Sequence, residues 1–332
     1  METAILDDRC TVCGDLLDEE DLFCANCGTE TPIRDKAPPA RSEAVKHSFS
    51  CQGCGASMSY DPAAQTLRCP FCGSEKLDSK GGAKTLRPHK VVPFTFGREK
   101  AIRELKEWLG RGFWRPGDLR ELAVVEKMQP VYVPYWAFRA RTHTYWTADT
   151  SETPYHARGD WLPLFGEHRS EYEGLLVGAS SVLAPAETDT ICPFDLAEGK
   201  PFHEVEEQLS RFTVETFGVR RKYARPLARR GIETLEAHAV DAHYVPGRSR
   251  NLKVNTLISD MSSEPILLPV WVVAYRYKAE VYRFLMNGQT GRFTGRKPVS
   301  TGRILAAIGI GIAIVVAIIF LVFICGGLAA VG

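Results

Sequence analysis

The fold is decided by the stretch CQGCGASMSYDPAAQTLRCPFCG, residues 51–73. It holds two Cys-x-x-Cys pairs, and a similar stretch, CTVCGDLLDEEDLFCANCG, occupies residues 10–28. The short gap within a pair lets one tight turn present both sulfurs to one metal ion, and each spacer can form a hairpin that returns the second pair to the first. The spacing therefore predicts two zinc ribbons. The predicted ligands are Cys10, Cys13, Cys24 and Cys27 in the first ribbon, and Cys51, Cys54, Cys69 and Cys72 in the second.

Four thiolates complete a tetrahedral coordination sphere, so the cysteines predict two structural Zn²⁺ ions with no open position for catalysis. Pieces this small bury too little apolar surface to fold alone, and the metal supplies the missing stability. Redox pairs, a disulfide framework and iron in place of zinc are the alternatives. A glycine follows every pair and is expected to adopt the left-handed backbone that ends such a turn. These glycines are Gly14, Gly28, Gly55 and Gly73.

The C-terminal region is an uncharged run, ILAAIGIGIAIVVAIIFLVFICGGLAAVG, at residues 304–332. Roughly 20 apolar residues suffice for a helix to cross a bilayer, so the run predicts a transmembrane helix; a buried core helix is the alternative. Little follows the run, so a single-pass, tail-anchored protein is expected. The first residues, METAILDDRC, lack the basic and apolar regions of a secretory signal, and none is expected.

Cations precede this run and predict the orientation of the chain. By the positive-inside rule they place the N-terminal bulk in the cytoplasm, at the cell membrane. Lipid is then an expected partner through the helix. Small residues at four-residue spacing, Gly309, Ala313 and Ala317, would also permit self-association of helices. The cations are Arg292, Arg296, Lys297 and Arg303.

Of the 332 residues, 45% are hydrophobic and 24% are charged, as expected for a folded protein. Helical and strand patterns intermix after residue 90 without a regular βαβ rhythm, which predicts an α+β middle domain. The fold expected is thus two zinc ribbons built from β-hairpin knuckles, an α+β domain and one membrane helix. The predicted segments are ribbon 1 at 1–30, a linker at 31–46, ribbon 2 at 47–76, a linker at 77–89, the middle domain at 90–300 and the membrane helix at 303–331.

The middle domain is predicted to end in a β-meander, PVWVVAYRYKAEVYRFLMNGQTGRFTG, at residues 269–295. Aromatic and aliphatic side chains alternate along it as a strand requires. Asn287 and Gly288 are expected to supply the positive φ angles of a tight turn, which the following Gln-Thr-Gly could lengthen. The Pro-x-Trp start of this stretch is repeated at residues 133–146, which suggests two related strands.

The sequence contains no phosphate-binding loop, nucleophile elbow or HExxH motif, so no catalytic residue is predicted. The net charge of +1 gives no overall attraction for nucleic acid. The basic run VRRKYARPLARR is the local exception, and its cations are candidate contacts for anionic lipid or nucleic acid; a solvated helix face paired with glutamates is the alternative. The candidates are Arg220, Arg221, Lys222, Arg225, Arg229 and Arg230.

The motifs occur in an order that resembles a bacterial family of membrane-anchored proteins often labelled TFIIB-type zinc ribbon proteins, sometimes described as related to the primosomal helicase N-prime. The resemblance covers roughly residues 50–320 and implies zinc at the second quartet, with partners of the phage-shock-protein-A-like or flotillin-like (SPFH) class. The ribbon at 10–28 departs from this pattern, and the absent nucleotide-binding loop gives the helicase label no support. The matching pieces are YDPAAQTLRCPFCGS, VVPFTF, VYVPYWAF, LPVW, YRFLMNGQTGRFTG and the terminal hydrophobic run.

These observations predict a non-enzymatic adaptor that recruits protein partners to the cytoplasmic face of the membrane, with envelope stress as the setting that the resemblance implies. The first ribbon favours protein over nucleic acid, because its dense carboxylates would repel phosphates. Two alternatives stay open: a membrane-tethered nucleic-acid-binding regulator, and an enzyme whose site in the middle domain no motif reveals.

Overall fold

The computed structural model describes residues 9–14, 17, 23–24, 26–31, 48–59, 68–80, 86–112, 116, 128–156, 158–277 and 280–329. The strands are β1 (Ser48–Cys51), β2 (Ser57–Ser59), β3 (Leu77–Lys80), β4 (Lys90–Val91), β5 (Gln129–Thr150), β6 (Leu162–Gly178), β7 (Lys200–Pro201), β8 (Thr213–Glu215), β9 (Ser249–Tyr277), β10 (Glu280–Asn287) and β11 (Phe293–Gly295). The helices are α1 (Arg98–Gly110), α2 (Pro185–Thr190), α3 (Phe202–Leu209), α4 (Arg221–Ala239), which continues into a π-helical turn at Val240–Tyr244, and α5 (Thr301–Ala329). Residues 115–130, RPGDLRELAVVEKMQP, predict a second short helix, and most of them lie outside the described residues.

The strands form one mixed sheet of eleven strands within the part of the chain that the structure describes. Its main order is β11-β10-β9-β5-β8-β2-β1-β3, with β6 beside β5, β4 beside β9 and β7 beside β4. The sheet content is larger than the predicted α+β domain implies. The reason is the length of a few strands: β5 has 22 residues and extends over roughly 70 Å. Its residues 131–136 are all buried, and buried and more exposed side chains alternate from residue 137 to its end.

Helix α4 covers one face of the long strands. It forms because small apolar residues recur on one helical stripe, at Ala224, Ala228 and Ile232. These residues are buried against Trp136 and Phe138 of β5. The opposite face of the strands carries exposed charges. The buried face of the long strands is therefore the face that α4 covers.

The second ribbon is part of the main domain. Strand β2 pairs with β8, and Met58 lies opposite Glu215. Residues 77–80, which the sequence assigned to a linker, form β3 and pair with β1. The buried ribbon side chains join the principal core rather than a core of their own. They are Cys51, Ala56, Met58, Cys69 and Phe71, in contact with a cluster that includes Val131, Val133, Val270, Val272 and Leu285.

The predicted meander is present as β9, β10 and β11, paired in succession. Its turn differs from the prediction, because neither Asn287 nor Gly288 has a positive φ and the left-handed residue is Gly291, at φ 76°. The Asn287 side chain shapes this longer turn. Its Oδ1 accepts hydrogen bonds from the Gln289 and Thr290 amides at 2.8 and 3.0 Å. Its amide group donates to the carbonyls of Ile191 and Pro193, which follow α2.

The repeated Pro-x-Trp segments are neighbours in the sheet. Strand β5 pairs with β9 in antiparallel register, so Pro134 lies opposite Leu267 and Tyr132 opposite Pro269. The two tryptophans enter different clusters, with Trp136 under α4 and Trp271 beside α1.

Candidate metal centres

Four turns of one design present the cysteine pairs. In each, the amide of the following glycine donates to the carbonyl of the first cysteine of the pair at 2.8 Å. This closure requires left-handed backbone, and the predicted glycines all adopt it. The φ angles are 71° at Gly14, 72° at Gly28, 79° at Gly55 and 73° at Gly73.

The turns bring the cysteines together as two quartets, and within each quartet all four sulfurs lie within 4.8 Å of one another. Two sulfur–sulfur distances in each quartet are 3.5 Å. A tetrahedral ion with metal–sulfur bonds near 2.3 Å needs sulfurs about 3.8 Å apart, so both quartets fit such an ion after small adjustments. All eight cysteines are free thiols, which excludes a disulfide framework in this structure.

Within each quartet, the pKa of one thiol is lowered and the pKa of another is raised. Hydrogen bonding with Cys69 lowers the pKa of Cys54 to about 5, while that bond and burial raise the pKa of Cys69. In the first quartet, hydrogen bonding with Thr29 lowers the pKa of Cys27 to about 6. Burial raises the pKa of Cys24 to about 12. A divalent cation favours the thiolate of every ligand, so binding releases protons and weakens in acid.

The quartets differ in their surroundings. The second has two cysteines fully buried and two half-buried, and its sulfurs border the main core. The first has two exposed cysteines, and its small cluster consists of Cys10, Leu17 and Cys24. Two large apolar side chains of the first ribbon face solvent: Val12 is 69% exposed and Phe23 is 58% exposed. The same ligand set therefore occurs once inside a domain and once on a small ribbon with its own cluster.

The basic run predicted as a lipid or nucleic-acid contact forms the first half of α4 and the residue before it. Arg221 is only 3% exposed, so its side chain is not on the outer surface of the helix. Arg229 pairs with Glu233 at 3.4 Å, as expected if this is a solvated helix face. The remaining cations are exposed or half-buried: Arg220, Lys222, Arg225 and Arg230.

Two of the four cations that precede the apolar run contribute to the fold of the domain. A guanidinium nitrogen of Arg292 donates to the Cys192 carbonyl at 2.6 Å. The Lys297 ammonium donates to the carbonyls of Trp108 and Arg111 at 2.6 and 2.8 Å. The sequence counts all four cations toward orientation, whereas the structure gives these two a second role.

Sequence reasoning missed the buried acids. Glu236 of α4 accepts hydrogen bonds from Thr142 and from His168 of β6, each at 2.5 Å, and it is fully buried. Glu215 of β8 accepts from the Ser180 hydroxyl at 2.6 Å, and burial raises its pKa to about 8. The sequence signal for a buried acid is a glutamate within an otherwise apolar strand or helix stripe. The hydrogen-bond partners of these two glutamates lie in distant parts of the chain, so the sequence does not reveal them.

The fold and the two quartets define a class of protein: a sheet-rich domain with one integral Cys₄ metal centre, a second Cys₄ ribbon, and one C-terminal apolar helix. A curated relative is similar over most of this chain. The uncharacterized protein YdjG of Bacillus subtilis (strain 168) is 25% identical over 318 residues, which cover 78% of this chain and 92% of YdjG. No family model matches the chain, and no solved structure gives a significant match.

Proposed function

We propose that this protein is a non-enzymatic adaptor, anchored in the cell membrane by α5, that binds zinc at both quartets and recruits protein partners through its first ribbon. The observation that carries the proposal is the unequal setting of the two quartets. The second ribbon is packed into the domain core, so its apolar surface stabilises the domain. The first ribbon keeps apolar side chains exposed, and these are available to a partner.

The first ribbon offers a surface suited to protein. Val12 lies inside the first cysteine turn and Phe23 directly precedes the second, so a rigid metal-bound scaffold holds both. Seven acidic residues occur in the same short segment of sequence, at Asp7, Asp8, Asp15, Asp18, Glu19, Glu20 and Asp21. A partner with an apolar pocket and a basic rim matches this combination, and a nucleic-acid backbone does not.

Helix α5 supplies the anchor in this proposal. Thr301–Ile319 has a mean hydropathy of 2.5, and none of it is buried in the protein. A helix of this kind would bury its apolar surface in lipid. The N-terminal bulk would then lie at the cytoplasmic face, where partners of the phage-shock-protein-A-like or SPFH class implied by the resemblance would be recruited.

The test is affinity capture of the full chain from detergent-solubilised membranes. A V12S/F23S variant removes the two exposed apolar side chains and leaves every ligand in place. We expect partner proteins to co-purify with the unaltered chain and to be lost with this variant. The matched control is Thr11→Ser, which alters the same cysteine turn without removing a large apolar group.

Two outcomes would contradict the proposal. Equal capture by the unaltered chain and the double variant would exclude the first ribbon as the recruiting surface. Capture of nuclease-sensitive nucleic acid that weakens steeply with salt would favour the membrane-tethered regulator instead.

A further inference from the structure

The segment between β11 and α5 is held against the domain along its length. Gly295 lies so close to its neighbours that a Cβ there would be 2.9 Å from the Arg283 carbonyl oxygen and 3.0 Å from the Trp108 ring. The Tyr275 hydroxyl then donates to the Arg296 carbonyl at 2.7 Å. Pro298, three residues before α5, is buried. Only Val299 and Ser300 then separate the buried Pro298 from α5.

Lys297 is the centre of this attachment. Its ammonium caps the C-terminal end of α1 through the carbonyls of Trp108 and Arg111, and it lies 4.4 Å from the centre of the Trp108 ring. The negative end of the α1 dipole and the face of an aromatic ring both favour a cation at this point. We name Lys297, Trp108 and Arg111 the α1 clamp.

Helix α5 begins almost at once. The Ser300 hydroxyl accepts a hydrogen bond from the Arg303 amide at 3.4 Å, and the Ser300 carbonyl accepts one from the Ile304 amide at 3.1 Å. Arg303 is the last charged residue of the chain. One helical turn, about 5 Å, therefore separates Thr301 from the first residue able to enter hydrocarbon. The headgroup layer on each side of a bilayer is only about 6 Å deep.

We propose that the end of the domain around the α1 clamp is a lipid-contact face that lies in the anionic headgroup layer, and that the clamp holds the domain there in one orientation. The proposal rests on the anchoring role of α5. The exposed groups of this face suit such a layer, since Arg111 and Arg296 are cations and Val299, 60% exposed, is apolar. Glu107, paired with Arg111, is the anion in contact with that cation.

Photo-crosslinking in proteoliposomes of phosphatidylethanolamine and phosphatidylglycerol tests the face. A benzophenone amino acid replaces Arg111, or Tyr155 as the control. Tyr155 is 91% exposed and lies in the connection between the far ends of β5 and β6. We expect lipid adducts at position 111 and none at position 155. Protein adducts in place of lipid at 111, or equal lipid adducts at both positions, would overturn the proposal.

Lys297→Met tests the clamp, because it keeps the length of the side chain and removes the charge. Loss of the two charge-assisted hydrogen bonds should make the open segment at least about tenfold more populated, and trypsin should cleave after Arg296 at least about tenfold faster. The matched control, Lys253→Met, changes an exposed lysine of β9 and should leave this rate unchanged. An unchanged rate in Lys297→Met would exclude the clamp.

Carbonate extraction of every sample separates this proposal from the anchoring role. If the chain resists extraction and position 111 gives no lipid adduct, the lipid-contact face alone is wrong. If the chain is extracted as a peripheral protein, anchoring by α5 and the lipid-contact face both fail.

Discussion

The two metal centres should differ sharply in what their loss does to the domain. Cys24 and Cys69 are equivalent members of their quartets, and both are buried. Cys24→Ser and Cys69→Ser therefore make the same chemical change at two sites. We expect Cys69→Ser to destabilise the domain strongly and Cys24→Ser to leave its stability unchanged. Side chains of the second ribbon lie in the main core, whereas the buried residues described in the first ribbon form a separate cluster.

The magnitude follows from the side chains that the second ribbon contributes. Met58 and Phe71 are fully buried in the principal core cluster. Full burial of one such side chain is worth about 1.5–3 kcal/mol, so releasing both costs on the order of 3–6 kcal/mol. Total stabilities of about 5–15 kcal/mol are usual. Unfolding of the second ribbon should therefore bring the domain close to its threshold of stability.

Tryptophan fluorescence during urea unfolding in detergent measures this difference selectively, because all six tryptophans lie between residues 108 and 271 and none lies in a ribbon. Elemental analysis should give two zinc ions for the unaltered chain and one for each variant. Superimposable unfolding curves for the two variants, with one ion lost from each, would refute the integration of the second ribbon into the core.

Three further changes test the packing and the buried acids. Gly288→Ala should cost about 1–3 kcal/mol of unfolding free energy in urea titration, because the new Cβ would lie 2.5 Å from the Phe94 ring. Glu215 has a pKa of about 8 when folded and near 4.3 when unfolded, so the folded state holds the extra proton between these values. The stability of the domain should therefore fall as the pH rises from about 4.5 to 8, and Glu215→Gln should reduce that fall. His168→Phe should cost about 1–3 kcal/mol, because the buried Glu236 loses one hydrogen-bond partner and keeps Thr142, and adding Glu236→Gln should recover part of that loss.

Each of these changes has a control and a contrary result. Gly97→Ala adds a Cβ with no atom within 4 Å and should be nearly silent; a loss equal to that of Gly288→Ala would discount the clash. A pH profile that Glu215→Gln leaves unaltered would mean that this carboxyl ionises normally. His203 is largely exposed, so His203→Phe should change stability little. Strictly additive effects of the His168 and Glu236 changes would show that the two residues are not coupled.

Short-range chemistry made the metal centres predictable. The ligands, their grouping into quartets and the left-handed glycines all follow from the geometry of a Cys-x-x-Cys-Gly turn, which a few adjacent residues determine. The meander was predictable for a similar reason, since alternation of side chains is visible within one strand. Its turn was not, because Asn287 bonds to carbonyls of Ile191 and Pro193, which lie far away in the sequence.

Long-range packing explains the features that were missed. The size of the sheet depends on strands that continue well past the core, and the burial of Arg221 depends on how α4 turns against them. Likewise, Lys297 is adjacent to the apolar run in sequence and looks like a membrane-flanking charge. Its contact with α1 appears only when β9 and β10 bring residue 297 back to Trp108.

The sequence by itself determined the local elements: two cysteine quartets, an apolar C-terminal helix and a strand-rich end to the domain. These depend on residue type and spacing over a few turns of chain. The tertiary structure was needed to show that one ribbon belongs to the domain core while the other has a cluster of its own, and that the segment before the apolar helix is attached to α1. Those properties depend on which surfaces bury one another, and burial between segments far apart in the chain is not encoded in the spacing of either segment.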